Sequence, residues 1–346
     1  MRRLLILLLL LYIMIVPVSA MEFTAPQIPP SADQYMPDHT EDFGEGVWIV
    51  IQNAIRTVKP GIAEVSGTCL SLIAAAMLTG IMNHFSGAED TKVSFICTVI
   101  VGVILLQPVN SLIRLGTQTI QEISQYGKLL LPVMTAALAA QGSVTKSGAL
   151  YTATAVFDSV MSSAICKLLI PLIYFFICIA VACSVTDHPL LKEIRKFLRW
   201  LPTWALKIIL YVFTGYISIT GVVAGTTDAA MLKATKLTIS GMVPVVGNIL
   251  SDASEAVLVS AGLINHSVGI YGLLAIIAIW IGPFVEIGIQ YILLKITTGI
   301  CGIFAPKQTT ELMTDFSTAM GLLLAMSGAV CMMFLISTIC FMKGVA

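Results

Sequence analysis

Ile165–Val185 reads ICKLLIPLIYFFICIAVACSV, twenty-one residues with Lys167 as the single charge. As a helix it rises about 31 Å, the thickness of a bilayer's hydrocarbon core. A helix that is apolar on every face must be surrounded by lipid or by other apolar helices. The rest of the chain has the same character. Charged residues are 11% and apolar residues 57% of 346, against about 25% charged in soluble domains. The net charge is zero, so there is no cationic field to draw nucleic acid. The composition predicts an all-α, polytopic integral membrane protein with about six to eight transmembrane helices.

Outward from that span, the C-terminal side carries Lys192, Arg195, Lys196 and Arg199, the densest basic cluster in the chain. Read as a short loop over 187–200, it is expected on the cytoplasmic side, where Lys and Arg in short loops are retained. A further span is expected over 203–224. On the N-terminal side, spans are expected over 66–82 and 93–113, joined by a polar turn at 83–92. Gln107-Pro108 interrupts the second of these. A buried amide and a freed carbonyl need partners, so that face is predicted to meet protein rather than lipid. The last two spans are expected over 268–294 and 320–342, with a polar turn at 307–315 between them.

Two stretches are not simple spans. Residues 117–164 pass through Gln118, Gln121, Glu122, Gln125 and Lys128, then Pro132-Val133, then a small-residue run ending near Asp158. Residues 226–267 carry Asp228, Lys233, Lys236, Asp252 and Glu255 around Gly241, Pro244 and Gly247. Both read as amphipathic helical hairpins with a Pro-Val bend. The bends lie about 110 residues apart, which suggests a repeat of span pair plus hairpin, as in transporter folds. Gly221 and Gly225 add a small-residue spacing suited to close helix contact.

The chain opens with MRRLLILLLLLYIMIVPVSA: two arginines, an apolar core and small residues before Ala20. That is the pattern of a cleavable signal peptide, with an uncleaved anchor as the alternative. Residues 21–65 then read as an extracytoplasmic, acidic, flexible leader. It includes an interfacial helix over 45–58, with Trp48 at the headgroup level, ended by Lys59-Pro60-Gly61. The expected divisions are therefore 1–20, 21–65, a span pair plus hairpin over 66–164, a second over 165–267, and a final span pair over 268–346.

Candidate functional residues are few. Glu286 lies inside an apolar span one turn after Gly282-Pro283, and an intramembrane carboxylate marks a functional site by default. It could line a polar pathway, pair with Lys295 or Lys207, or snorkel toward the cytoplasmic face. Asp252 and Glu255 share a helix face, but Asp252 follows a Gly-Asn break and reads more simply as an N-terminal helix charge. With Asp228 and Lys236 they are read as holding the hairpin together or docking a partner. Eight cysteines lie in or beside apolar runs without a CxxC pair, which suits packing. Four scattered histidines give no metal spacing, and no nucleotide-binding or hydrolase motif occurs. No cofactor is expected, and an enzyme is disfavoured.

The stretch Gly241–Glu255, GMVPVVGNILSDASE, resembles the stage III sporulation protein AE family of endospore-forming bacteria. The resemblance covers most of the chain after the leader and is strongest from about residue 140 onward. It attaches no chemistry to any residue. It implies a non-enzymatic component of the sporulation channel complex in the mother-cell membrane that surrounds the forespore. Its implied neighbours are the other proteins of the stage III A operon and the forespore stage II sporulation protein Q, with self-association compatible. Two roles follow: a pore or permease-like subunit, or a non-conducting scaffold that recruits ring-forming partners.

Overall fold

The computed structural model describes residues 26–37, 43–85, 91–140, 144–186, 188–219 and 267–343. Among these, every regular element is a helix. They are α1 (Pro30–Asp33), α2 (Phe43–Phe85), α3 (Thr91–Ala140) and α4 (Val144–Ala164), then a π-helical turn (Ile165–Leu169) and α5 (Ile170–Val185). After these come α6 (Pro189–Ile219), α7 (Ser267–Cys301) and α8 (Lys307–Lys343). Among the described residues five stretches are long and apolar enough to cross a membrane: Val65–Met82, Thr98–Ala136, Thr154–Val185, Gly269–Cys301 and Lys307–Ile339.

The helices are longer than the sequence suggests, because its breakers do not break them. Pro108 and Pro132 lie inside α3, Pro202 inside α6 and Pro283 inside α7, and α2 runs unbroken through Pro60-Gly61. A proline deletes one helical hydrogen bond. In an apolar surrounding no water competes for the remainder, so the helix persists. The first amphipathic hairpin therefore does not bend at Pro132. Its first half continues the second span as one 50-residue helix, and its second half runs through α4 and the π-turn into the span over 165–185. The basic stretch expected as a loop is instead the start of α6. The polar turn at 307–315 is the first turns of α8. The second hairpin, and with it that part of the expected repeat, and the signal peptide lie outside the described residues.

Contacts between helices fix their directions. The Thr98 and Thr309 hydroxyls are hydrogen-bonded at 2.9 Å, Gly116 packs on Leu323 and Gly127 on Phe334, so α3 and α8 run parallel. Cys301 Sγ reaches the Leu72 carbonyl at 3.9 Å and Gly80 abuts Phe304, so α2 and α7 also run parallel. Asp158 meets Ser337 at 3.2 Å, which sets α4 and α5 antiparallel to α8. Thr154 meets Tyr216 at 2.9 Å and Phe157 stacks on the Tyr216 ring at 4.3 Å, returning α6 the other way. The ends at Phe85, Val185 and Cys301 therefore lie at one end of the bundle, with Arg195. Ala140, Ile219, Ser267 and Lys343 lie at the other.

Helix α7 is the centre. Leu273 to Ile281 contains no polar side chain but the Trp280 indole, and every one of these residues is buried, packed by α2, α3 and α8. The outer faces are apolar too. Leu70, Leu78 and Ile81 on α2 are exposed, as are Ile96, Ile100 and Val103 on α3, which suits lipid contact. On α6, Trp200 and Trp204 stack at 5.4 Å and are exposed, near the basic end where a headgroup layer favours indoles.

The expectation of a free leader is only partly met. Ala32 and Tyr35 are buried in the bundle, and so are Phe43, Val47, Val50 and Ala54 of α2. The stretch expected as an interfacial helix packs its apolar face on the core, while Trp48 points outward.

Candidate functional site

The polar residues of α3 fall on one face. Gln107, Asn110, Ser111, Arg114, Gln118, Gln121, Gln125 and Lys128 are exposed, and Glu122 is half-buried. At 3.6 residues per turn they occupy roughly 120° of the helix circumference over about 32 Å. That length equals the thickness of a hydrocarbon core. The opposite face of the same helix, with Val109, Ile113, Ile120, Ile123 and Leu130, is buried in protein. Sequence reading divided this stripe between an interrupted span and half a hairpin; the continuity of α3 makes it one surface.

At its Gln107 end the stripe opens into a cavity of about 590 Å³ between α2, α3 and α7. Thr68, Ser71, Gln107, Ser111, Glu286 and Gln290 supply its polar wall. Leu72, Leu105, Leu294 and Met320, all buried, supply apolar lining. Pro108 also lines it. Having no N–H, Pro108 leaves the carbonyl of Ile104, another lining residue, without its helical donor. A second hollow of about 360 Å³ shares Gln107 and Ser111 and continues past Asn110 and Arg114 to Gln118.

Glu286 is exposed on α7 and faces this cavity. Pro283 lies one turn before it, half-buried. Lys295, one of the partners expected for Glu286, donates its Nζ to the Tyr291 hydroxyl at 3.1 Å and lies 5.4 Å from that ring's centre. Asp228, Lys236, Gly241, Pro244, Gly247, Asp252 and Glu255 lie outside the described residues. Among the described residues no group of three His, Cys, Asp or Glu could hold a metal. Cys69, Cys166, Cys178, Cys183, Cys301 and Cys331 are free thiols.

Three groups escaped sequence reading. The Ser31 hydroxyl donates to Glu122 Oε2 at 2.8 Å, while Gln118 Nε2 donates to Glu122 Oε1 at 2.7 Å. Tyr35 lies on Gly282, where an added Cβ would come within 2.5 Å of its hydroxyl. Burial, and then the negative charge of Glu286, raise the Tyr35 phenol above its ordinary pKa, so the docked ring stays neutral. At the basic end Arg195 binds both Glu311 and Asp315. A lone tyrosine in a Pro-Ser-Asp stretch was the one signal for the Tyr35 contact. For the last, Glu311 and Asp315 at i, i+4 were the signal.

Fold and site together define a polytopic helical membrane protein with a polar cavity and a polar stripe among its spans. The profile of the family described as "Stage III sporulation protein AE" matches residues 33–344, and the chain belongs to that family. It is 26% identical over 223 residues to the stage III sporulation protein AE of Bacillus subtilis (strain 168). The match covers 64% of this chain and 56% of that relative, so the chain spans little more than half the relative's length. No solved structure matches it.

Proposed function

We propose that this sporulation protein is the conducting subunit of a channel complex linking mother cell and forespore, in the mother-cell membrane around the forespore. The observation that carries the reading is the polar stripe of α3 opening into the Glu286 cavity. A charged or amide side chain facing lipid at mid-depth costs roughly 2.5 kcal/mol or more when charged. A stripe as long as the bilayer is thick, carrying Arg114 and Glu122, is therefore better suited to water or protein than to lipid. Amides and hydroxyls dominate the wall, which suits passage of small polar solutes more than tight capture of one ligand. With Arg195 inside by the positive-inside rule, residues 26–37 and the helix ends at Ile219, Ser267 and Lys343 face the intermembrane space. There the other A-operon proteins and the forespore stage II protein Q would meet them, and further copies of the chain could share the stripe.

The second reading is a scaffold that conducts nothing. The same stripe favours it if a partner's polar side chains cover it. The two separate in sporulating cells carrying Gln107→Leu or Glu286→Gln in the full chain. A conduit loses late forespore reporter expression while the complex still co-purifies. A scaffold either keeps expression or loses the partners with it.

A further inference from the structure

The second hollow, beside the Glu286 cavity, carries a charge that nothing on its walls balances. Its lining is Gln107, Asn110, Ser111, Arg114, Leu115 and Gln118, with no acid among them. Arg114 is exposed, and among the described residues no carboxylate pairs with it. Its own helix offers none within reach. The side chains three and four residues away, which share its face, are those of Asn110, Ser111, Thr117 and Gln118. The one acid of α3, Glu122, lies eight residues on, about 12 Å along the axis. Neutral donors already hold both of its oxygens, Gln118 on one and Ser31 on the other. The neighbouring helix at this level is α5, whose Tyr174 hydroxyl reaches Asn110. From Ile165 to Val185 that stretch has no acid, and its single charge is Lys167. Glu286 lines the adjoining cavity and not the hollow.

The groups around Arg114 suit an anion. A guanidinium presents its N–H donors in a planar fork that matches a carboxylate or a phosphate. The Tyr174 hydroxyl donates to Asn110 Oδ1 at 3.0 Å. That bond occupies the amide oxygen and leaves the amide nitrogen, a donor, as the atom available to a ligand. The Ser111 hydroxyl and the Gln107 amide, on the same face within two turns, add further donors. An unpaired cation among membrane helices is costly unless water or an opposite charge reaches it. The hollow, about 360 Å³, has room for either.

We propose that this hollow is an anion-binding station, in which Arg114 holds a carboxylate or phosphate group and Asn110, Ser111 and Gln107 donate hydrogen bonds to it. The inference rests on the conduit reading for its purpose and adds the class of solute: small anions that carry such a group. With one cation and an exposed wall, the station holds its ligand briefly, as passage requires. Glu286 stands on the other side of Gln107 and Ser111, which line both spaces. Positive charge is therefore drawn to the cavity and negative charge to the hollow. An anionic phospholipid headgroup offers the same phosphate chemistry, and the test separates the two sources.

The test uses the purified full chain in nanodiscs of phosphatidylcholine, with its own cysteines replaced and Ser111→Cys as the reporter. Two methanethiosulfonate reagents of similar size are compared, one ending in a sulfonate and one in a trimethylammonium. Each rate is divided by that reagent's rate with a small thiol in solution. The anionic reagent should be favoured by about tenfold, the scale of one unit charge a few ångströms away, and inorganic phosphate should slow both reagents. Arg114→Gln should abolish the preference and the phosphate effect. Arg114→Lys should keep the preference and weaken the phosphate effect, because an ammonium retains the charge and loses the fork. No preference, or no effect of phosphate, with Arg114 intact overturns the site whether or not the variants fold. Slow labelling by both reagents once phosphatidylglycerol is added, with phosphate adding nothing further, makes a headgroup the occupant and overturns the solute class. Late forespore expression is scored separately in sporulating cells. Its survival in Gln107→Leu removes the conduit reading, while its loss there with no charge preference at Ser111→Cys removes the anion station alone.

Discussion

Arg195 Nη1 lies 3.2 Å from Asp315 Oδ2, joining residues 120 positions apart in the chain. Its other terminal nitrogen holds Glu311 at 2.8 Å. The Asp315 side chain is only 5% exposed and that of Arg195 16%, so the pair ties α6 to α8 away from bulk water. Burial works against the guanidinium's charge, and the Glu311 hydrogen bond with the Asp315 carboxylate more than offsets it, raising the Arg195 pKa.

Arg195→Ala therefore strands a buried carboxylate, and the loss should be roughly 3 kcal/mol or more. Removing both partners, as Arg195→Met with Asp315→Leu, should recover most of that, because the two changes together leave no unpaired buried charge and Glu311 is 38% exposed. Thermal unfolding of the detergent-solubilised chain reads both. A double variant no better than Arg195→Ala would mean that the pair is not a closed unit.

Two glycines in close contacts should answer alanine differently. At Gly116 an added Cβ meets the Leu323 side chain at 2.7 Å, whereas at Gly80 it meets the Phe304 carbonyl oxygen at 2.6 Å. Leucine can change rotamer; a backbone carbonyl cannot step aside alone. Gly116→Ala should be nearly neutral, helped by the better helix propensity of alanine. Gly80→Ala should cost roughly 1–3 kcal/mol. Melting temperatures of the two variants in one detergent decide it, and equal shifts would refute the close packing of α2 on the α7–α8 connection.

Asp158 is 2% exposed and accepts from the Ser337 hydroxyl at 3.2 Å. Its second oxygen has no hydrogen-bond partner among the described residues. Ser337→Ala should cost roughly 1–3 kcal/mol, the penalty for stripping a buried polar group of its donor. Asp158→Asn keeps the acceptor oxygen and sheds the burden of a carboxyl in an apolar interior, so stability should hold or rise. A double-mutant cycle between positions 158 and 337 measures the coupling; a zero coupling energy would contradict the contact.

Much of the membrane architecture was legible. The apolar runs, the Gln107-Pro108 disturbance and Glu286 all stand out in a chain where polar residues are rare. Helix continuity was not legible. Proline reads as a stop because in water it usually is one, and Pro60, Pro132 and Pro202 lie in helices whose surroundings leave the backbone no better partner. That misreading placed a bend at Pro132 and split α2 at Lys59-Pro60-Gly61, while the polar residues after 113 and the basic ones of 187–200 read as breaks for their polarity. The docking of Tyr35 was hidden for another reason. It depends on the absence of a side chain at Gly282, some 250 positions away, and no local pattern announces such a pairing.

The most direct test of the conduit is a cysteine scan along α3 from Gln107 to Lys128 in the assembled complex, probed with a small water-soluble thiol reagent. The account predicts rapid labelling at positions 107, 111, 114, 118, 121 and 125, and protection at 109, 113, 120 and 123. Equal protection at all of them in the complex, with labelling of the stripe only when partners are removed, would show a face buried by protein and contradict conduction along it.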